Sequence, residues 1–237
     1  MTKTQQDLLR AFTKGCSSER LRKYRQDRDD DGTIIARYVW NMQLGEALYP
    51  TLQALEVTLR NSLHDAITTK YARADWYNIP NFLEPFGARE VVAALAKLTD
   101  AARKKGLQSA ALHTPGRVVA ELTFGFWTGL FSGEYETNPR LWPALIVLVF
   151  PQAPRRSRSR REIARLLHPI RYLRNRVFHH EPIWNTPDLM QSHTQIVRLI
   201  SWMNRDIHDA IMLFDRFPIV YASGYAQCLT ELQRIMD

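Results

Sequence analysis

Residues 50–71 have the sequence PTLQALEVTLRNSLHDAITTKY. Leucines at positions 52, 55, 59 and 63 recur every three or four residues, a spacing that places them on one face of an α-helix. Pro50 fits the first turn of a helix, so we expect a stop or kink at Tyr49-Pro50 and a helix that continues to Tyr71. An apolar stripe of this length has to be buried against other elements, and it therefore predicts a helical core.

Helical patterns recur on both sides of this stretch. A helix that begins near Ile34 precedes it. The other expected helices or apolar elements cover about residues 2–14, 90–103, 118–131, 141–150, 159–180, 187–214 and 221–236. The sequence has no series of β-rich runs joined by turn signals, and no repeat of roughly 20 to 50 residues. We therefore predict an all-α fold, built as a helical bundle.

The first 33 residues differ from the rest of the chain. Residues 20–31 mix Arg and Lys with Asp and contain almost nothing to bury, which is typical of a solvated segment. We expect residues 1–33 to form an N-terminal helix and a charged, mobile arm, and residues 34–237 to form one helical domain.

Composition and charge narrow the class of protein. With 45% hydrophobic and 11% aromatic residues in 237, the chain has enough apolar material for a globular core. A net charge of +8 and a pI near 9.7 indicate a polyanionic partner, and we favour nucleic acid over a membrane surface. The longest apolar run, residues 144–150, is far shorter than a spanning helix, and no leader pattern opens the chain, so we expect a cytoplasmic protein.

The cysteines indicate neither a disulfide framework nor a zinc site. Cys16 and Cys228 lie near opposite ends of the chain, without the spacing of metal ligands. We expect two free thiols, no metal site and no cofactor.

Residues 174–182, RNRVFHHEP, hold the residues best suited to chemistry, namely Arg174, Asn175 and His179. On a helix Asn175 and His179 are i and i+4 and share a face, whereas Arg174 lies about 140° round from His179. Helical geometry alone does not bring the arginine and the histidine together. Either the long arginine bends toward the imidazole, or the last turn loosens before Pro182, or a symmetry-related copy supplies the missing group.

These residue types match the needs of RNA cleavage without a metal. An imidazole titrates near neutral pH, so His179 can act as base or acid. The guanidinium of Arg174 stays charged and makes forked hydrogen bonds to phosphate oxygens, and Asn175 can orient the imidazole or the phosphate. By spacing alone, however, an arginine and a histidine on a charged helix are more often surface groups.

Three stretches resemble the Abi-like (abortive infection) proteins with a HEPN domain. Residues 170–182, IRYLRNRVFHHEP, resemble the end of that family's catalytic helix and carry its RN-x3-H motif. Residues 55–61, LEVTLRN, resemble its Glu-x-x-x-Arg helix, and residues 122–127, LTFGFW, resemble the start of its central helix. The resemblance implies a HEPN-like helical bundle with additional flanking helices and a homodimer whose two motifs face each other. It also implies metal-independent endoribonuclease activity and a role in stopping phage growth.

Further residues are candidates for supporting roles. Glu56 and Arg60, one helical turn apart, form either an intrahelical ion pair or a clamp on the motif helix. His180 and Glu181 either assist His179 or interact with the helix C-terminus. The arginine-rich run at residues 155–161, RRSRSRR, is either an RNA-contacting surface, which we favour, or a solvated loop. The predicted RNA-binding residues are Arg155, Arg156, Arg158, Arg160, Arg161 and Arg171.

The sequence thus predicts a toxin-like endoribonuclease in anti-phage abortive infection. Its expected partners are RNA, a second copy of the chain, and a regulatory small RNA or antitoxin. The alternative is a non-catalytic RNA-binding protein of the same fold, in complex with a small structured RNA. A protein-interaction or antitoxin-like subunit is a third interpretation, and the positive charge disfavours it.

Overall fold

Helices make up 72% of residues 4–235, the part of the chain that the computed structural model describes, and this range contains no strand. The predicted all-α fold is therefore confirmed. The α-helices, in chain order, are α1 Gln5–Cys16, α2 Ser18–Arg22, α3 Asp31–Tyr71, α4 Pro85–Lys104, α5 Pro115–Glu121, α6 Phe124–Gly129, α7 Ile146–Val149, α8 Arg160–Phe178, α9 Leu189–Met203, α10 Arg205–Met212 and α11 Phe217–Gln233.

The chain divides into two compact units. Among the described residues, unit 1 comprises 4–52, 172–195 and 211–235, and unit 2 comprises 53–171 and 196–210. The predicted boundary between residues 33 and 34 stays a prediction.

In unit 1 the charged N-terminal segment is anchored by two buried side chains. Leu21 and Tyr24 are 4% and 1% exposed and pack with Ile34, and Trp184 adds to this cluster. The same segment contains α2. Near the end of the segment, Asp29 accepts a hydrogen bond from the buried Arg37. The expectation that residues 20–31 have almost nothing to bury is therefore wrong, because two apolar side chains among many charges are enough to hold the segment down.

Unit 2 has a core of aliphatic and aromatic side chains. Leu55, Leu59 and Leu63 of α3 are fully buried, as the apolar stripe predicts. Around Trp76 the rings of Phe82, Phe126 and Trp127 lie with centroids 5.6, 6.4 and 6.1 Å from the indole. Burial of such large rings stabilises the unit by the apolar area removed from water, and the pair of Trp76 and Trp127 adds an edge-to-face contact.

Several helix boundaries differ from prediction, and at three of them a single residue stands out. Pro50 lies inside α3 rather than at a helix start, and the hydroxyl of Thr51 donates to the Leu48 carbonyl at 3.0 Å there. The expected helix 187–214 is divided into α9 and α10, since the Asn204 side chain accepts the Ile207 N–H at 3.0 Å and caps a new helix. Thr123 divides 118–131 in the same way, with its hydroxyl accepting an N–H of α6 at 3.2 Å.

None of the helices within residues 4–235 combines the length and the apolar composition that crossing a bilayer requires.

Candidate functional site

Helix α8 ends in a Schellman motif, which determines how residues 174–182 are presented. The Glu181 N–H donates to the Arg176 carbonyl at 2.8 Å, and the His180 N–H donates to the Val177 carbonyl at 3.1 Å. His180 has a φ of 56° and thus occupies the left-handed position at which such motifs usually have glycine. Pro182 follows and cannot extend the helix. The predicted end of this helix is therefore confirmed within two residues.

The three predicted catalytic residues lie at the C-terminal end of α8, Arg174 and Asn175 within the helix and His179 directly after it. The Asn175 and His179 side chains are exposed, and the His179 N–H donates to the Asn175 carbonyl at 2.9 Å. Arg174 is half-buried, with its guanidinium carbon 4.1 Å from the centroid of the Phe178 ring. A ring face at this distance favours the cation, so the guanidinium is held against α8 one turn before the imidazole.

The predicted supporting residues His180 and Glu181 hold the turn in place. Arg20 donates through Nη1 to the His180 carbonyl at 2.9 Å. Glu181 Oε2 lies 3.9 Å from Arg176 Nε, and Arg176 also donates to the Pro182 carbonyl. These contacts favour the interpretation in which both residues act on the helix C-terminus, and a part in catalysis stays a prediction.

A cleft of about 760 Å³ opens in unit 1 directly beside the motif. It lies between residues 20–24, 38–50, 177–183 and 214–216, and we call it the unit 1 cleft. Five aromatic side chains line it, together with two arginines and two glutamates: Tyr24, Tyr38, Tyr49, Phe178, Phe214, Arg20, Arg216, Glu46 and Glu181. Sequence reasoning missed this cleft, because its walls come from four separate stretches and no local pattern relates them.

Comparison with known proteins identifies the family. The family model described as Abi-like protein matches residues 6–185, which is 180 of the 237 residues. The chain belongs to the Abi-like protein family. Family membership indicates a role in abortive infection. No curated protein and no solved structure matches the chain.

In this Abi-like protein the arginine-rich run contains side chains of two kinds. Arg158 donates to the carbonyls of Ala153 and Pro151 at 2.7 and 2.9 Å. Arg160 donates to the Phe131 carbonyl at 2.6 Å and lies 3.1 Å from the Glu136 carboxylate. These two arginines thus have partners within unit 2. Arg155, Arg156 and Arg161 are exposed, and Arg171 is half-buried on α8. RNA contact by the six arginines stays a prediction.

Residues 60–64 of the Abi-like protein, RNSLH, repeat the Arg-Asn…His order of residues 174–179 with one residue fewer, but they have a different environment. His64 Nδ1 accepts the indole N–H of Trp76 at 2.9 Å, so that nitrogen carries no proton. Burial lowers the pKa of His64 below its ordinary value. Both facts support a structural role for His64. In the same unit Arg60 Nε donates to Asn61 Oδ1 at 3.3 Å, and the predicted clamp of Glu56 and Arg60 stays a prediction.

Unit 1 contains a buried histidine–aspartate pair that no sequence pattern predicted. His193 Nε2 lies 3.0 Å from Asp215 Oδ2, and the imidazole stacks on Phe217 with ring centroids 4.6 Å apart. Burial lowers the pKa of His193, and the Asp215 carboxylate opposes this shift. Within residues 4–235 no group of three or more His, Cys, Asp and Glu side chains is placed to hold a metal ion.

Proposed function

We propose that this Abi-like protein is a metal-independent endoribonuclease of the HEPN type and a toxin-like effector of anti-phage abortive infection. The observation that carries the proposal is the C-terminal end of α8, where the Asn175 amide and the His179 imidazole are exposed and the Arg174 guanidinium packs on Phe178. Phosphodiester cleavage through the 2′-hydroxyl requires an accessible imidazole and a cation positioned at the phosphate.

In the proposed reaction the His179 imidazole removes the proton of the 2′-hydroxyl, and the 2′-oxygen attacks the adjacent phosphorus. The bond between phosphorus and the 5′-oxygen then breaks, and the imidazolium form of His179 donates a proton to this oxygen. The products are a 2′,3′-cyclic phosphate and a 5′-hydroxyl. Arg174 stabilises the negative charge of the phosphorane. Stacking on Phe178 uses the face of its guanidinium, whereas the N–H groups that contact phosphate lie in the plane.

A second copy of the chain is part of this proposal. By the 3.6-residue period, Arg174 and His179 are about 140° apart around a helix axis, so we expect one motif to present its cation and its imidazole in different directions. Two motifs related by a twofold axis place the arginine of one copy opposite the histidine of the other. Dilution below the dimer dissociation constant should therefore lower specific activity, and a stable monomer in sedimentation that cleaves RNA at the full rate contradicts the dimer.

The test of the activity is incubation of the purified protein with RNA in EDTA. His179→Ala should slow cleavage by about 10²- to 10⁴-fold, the usual contribution of general acid–base catalysis. Arg174→Ala should also abolish cleavage, and Arg174→Lys should restore little, because an ammonium does not reproduce the forked contact. His168→Ala, at another exposed position of α8, serves as the matched control and should cleave normally.

The products and substrates separate this reaction from others. RNA with one 2′-deoxy sugar at the cut site should resist cleavage, and DNA should be bound but not cut. Cleavage that EDTA abolishes, or full activity of His179→Ala, overturns the assignment.

The alternative function is RNA binding without cleavage, and the exposed Arg155, Arg156 and Arg161 favour RNA contact in either case. Each phosphate contact contributes roughly 0.7 to the slope of log affinity against log salt for single-stranded RNA. Replacing these three arginines with Ser should therefore reduce the magnitude of that slope by about 2. Arg103→Ser, at a site whose side chain is 77% exposed, is the control. An unchanged slope indicates that the run only faces solvent. Wild-type protein that binds RNA and cleaves none supports the alternative.

A toxin-like nuclease has to be held inactive before infection. We propose that a small structured RNA or an antitoxin does so, and co-purification of such a partner with the inactive protein is the direct test.

A further inference from the structure

The unit 1 cleft presents aromatic rings to solvent. Tyr49 is 47% exposed and Phe214 is 75% exposed, and both line the cleft. The ring centroids of Tyr49 and Phe178 lie 5.5 Å apart, with their planes inclined by 30°. Exposed rings that converge on one cleft provide faces for a flat ligand, since aromatic pairs favour offset stacking at such separations.

The charged groups of the cleft are balanced. Arg216 Nη2 lies 2.6 Å from Glu46 Oε1, and Arg20 donates to the His180 carbonyl while Glu181 lies nearby on the same wall. Two arginines and two glutamates give no net charge, so the cleft does not attract phosphate in particular. It offers stacking faces together with hydrogen-bond donors and acceptors, which suits a polar heteroaromatic ring.

The cleft also has a suitable size and position. Its volume of about 760 Å³ falls in the range of roughly 300–1,000 Å³ typical of ligand pockets. Phe178 and His180 line it and flank His179 in the chain, and the Arg174 guanidinium lies on the Phe178 ring. The cleft therefore borders the turn that carries His179, although Arg174, Asn175 and His179 do not themselves line it.

We propose that the unit 1 cleft binds a nucleobase of the RNA, adjacent to the phosphate that the motif cleaves. This proposal rests on the proposed function, because the base belongs to the RNA that the nuclease cleaves. It adds a site that selects which nucleotide is placed at the motif. Tyr49 and Phe214 stack on the base, and the Glu46–Arg216 pair contacts its polar edge.

The test uses short RNA oligonucleotides in which one base is 2-aminopurine, whose fluorescence is quenched by stacking. All sugars carry a 2′-O-methyl group, which prevents attack on the phosphate, so binding is measured without cleavage. The 2-aminopurine is moved through every position of the oligonucleotide. We expect strong quenching by the wild-type protein at one position or a few neighbouring positions.

The variants are Tyr49→Ala and Phe214→Ala, at side chains exposed enough that truncation leaves the fold intact. Each should relieve the quenching and weaken binding by about 5- to 150-fold, the effect of removing a base-stacking ring. Leu213→Ala is the matched control, since Leu213 precedes Phe214, is 81% exposed and lies outside the cleft. It should leave both signals unchanged.

Other outcomes overturn the inference. Absence of quenching at every position excludes a nucleobase and leaves the cleft to a partner peptide, and equal effects of Leu213→Ala and Phe214→Ala refute stacking in the cleft. The 5′-monophosphate of 2-aminopurine riboside serves as a further probe. If it binds as tightly as the oligonucleotide, the occupant is a free nucleotide and RNA is refuted as the source.

Failure of this inference is distinguishable from failure of the proposed function. If RNA cleavage requires His179 but no quenching depends on Phe214, the nuclease function is supported and the base site is refuted. Quenching that depends on Phe214, in a protein that cleaves no RNA, supports the base site and refutes the nuclease.

Discussion

Arg37 is a buried cation that holds the N-terminal segment of unit 1, and its replacement has a calculable effect. The residue is 1% exposed, and its Nη1 donates to the Tyr24 carbonyl at 2.6 Å. Its Nη2 donates to Asp29 at 3.3 Å, and its guanidinium carbon lies 4.7 Å from the Trp184 ring and 4.8 Å from the Tyr225 ring. Its Nη1 also donates to Asp29 Oδ2 at 2.5 Å, and Arg37→Ala removes all five contacts at once.

The expected loss in the free energy of unfolding is about 3–5 kcal/mol, the cost of breaking a buried ion pair by removing one partner. The Asp29 side chain is only 12% exposed, so water replaces little of the lost interaction. Hydrogen bonding to Arg37 lowers the pKa of Asp29 in the folded protein, and the variant should lose this shift. Arg25→Ala is the control, since its pair with Asp31 spans 3.5 Å at 51% and 29% exposure and contributes about 0–1 kcal/mol.

Urea denaturation followed by circular dichroism measures both losses. Arg37→Lys keeps the charge without the planar fork, so it should fall between the wild type and Arg37→Ala, and it remains measurable if the alanine variant does not fold. A loss for Arg37→Ala within about 1 kcal/mol of that for Arg25→Ala would refute the reasoning. Because Arg20 on the same segment binds the His180 carbonyl, the variant should also increase amide exchange at the end of α8.

Three further predictions concern backbone strain and pH. His180→Gly should raise the free energy of unfolding by about 0.5–1 kcal/mol in thermal melts, since φ is 56° there, and His180→Val should lower it. Gly224→Ala should destabilise by about 1–3 kcal/mol, because φ 61° and ψ −171° suit glycine alone; an unchanged melting temperature contradicts this. Burial lowers the pKa of His64 and His193, so below about pH 6.5 the unfolded state takes up protons first. As the pH is lowered below that value, the free energy of unfolding should fall by up to about 1.4 kcal/mol per pH unit for each histidine. His64→Gln and His193→Gln should each flatten that slope.

Much of the helical architecture follows from local signals in the sequence. The leucine stripe of residues 52–63 predicts a buried helix face, and the structure buries it. The end of α8 follows from Pro182 and from the loss of apolar spacing, and it lies within two residues of the prediction. Both features depend on residues close together in the chain, where periodicity and stop signals act directly.

Local signals fail where a side chain competes with the backbone pattern. The apolar spacing of residues 187–214 and 118–131 predicts one helix each, but Asn204 and Thr123 cap new helices inside them. Each capping bond satisfies an otherwise unpaired N–H, so a single side chain can end a helix whose apolar pattern continues. Pro50 is the opposite case, since α3 continues through a residue that usually begins or ends a helix.

The three candidate catalytic residues are visible in the sequence because they fall within six consecutive positions, 174–179, at one helix end. The surroundings of that turn are not visible there. Arg20 reaches His180 across 160 positions, Asn41 accepts the Ile183 N–H across 142, and Glu46 pairs with Arg216 across 170. These contacts form the unit 1 cleft, and only the tertiary structure selects them. Spacing along the chain indicates which residues share a helix face. The pairing of distant segments depends instead on how whole apolar faces of different helices pack against one another.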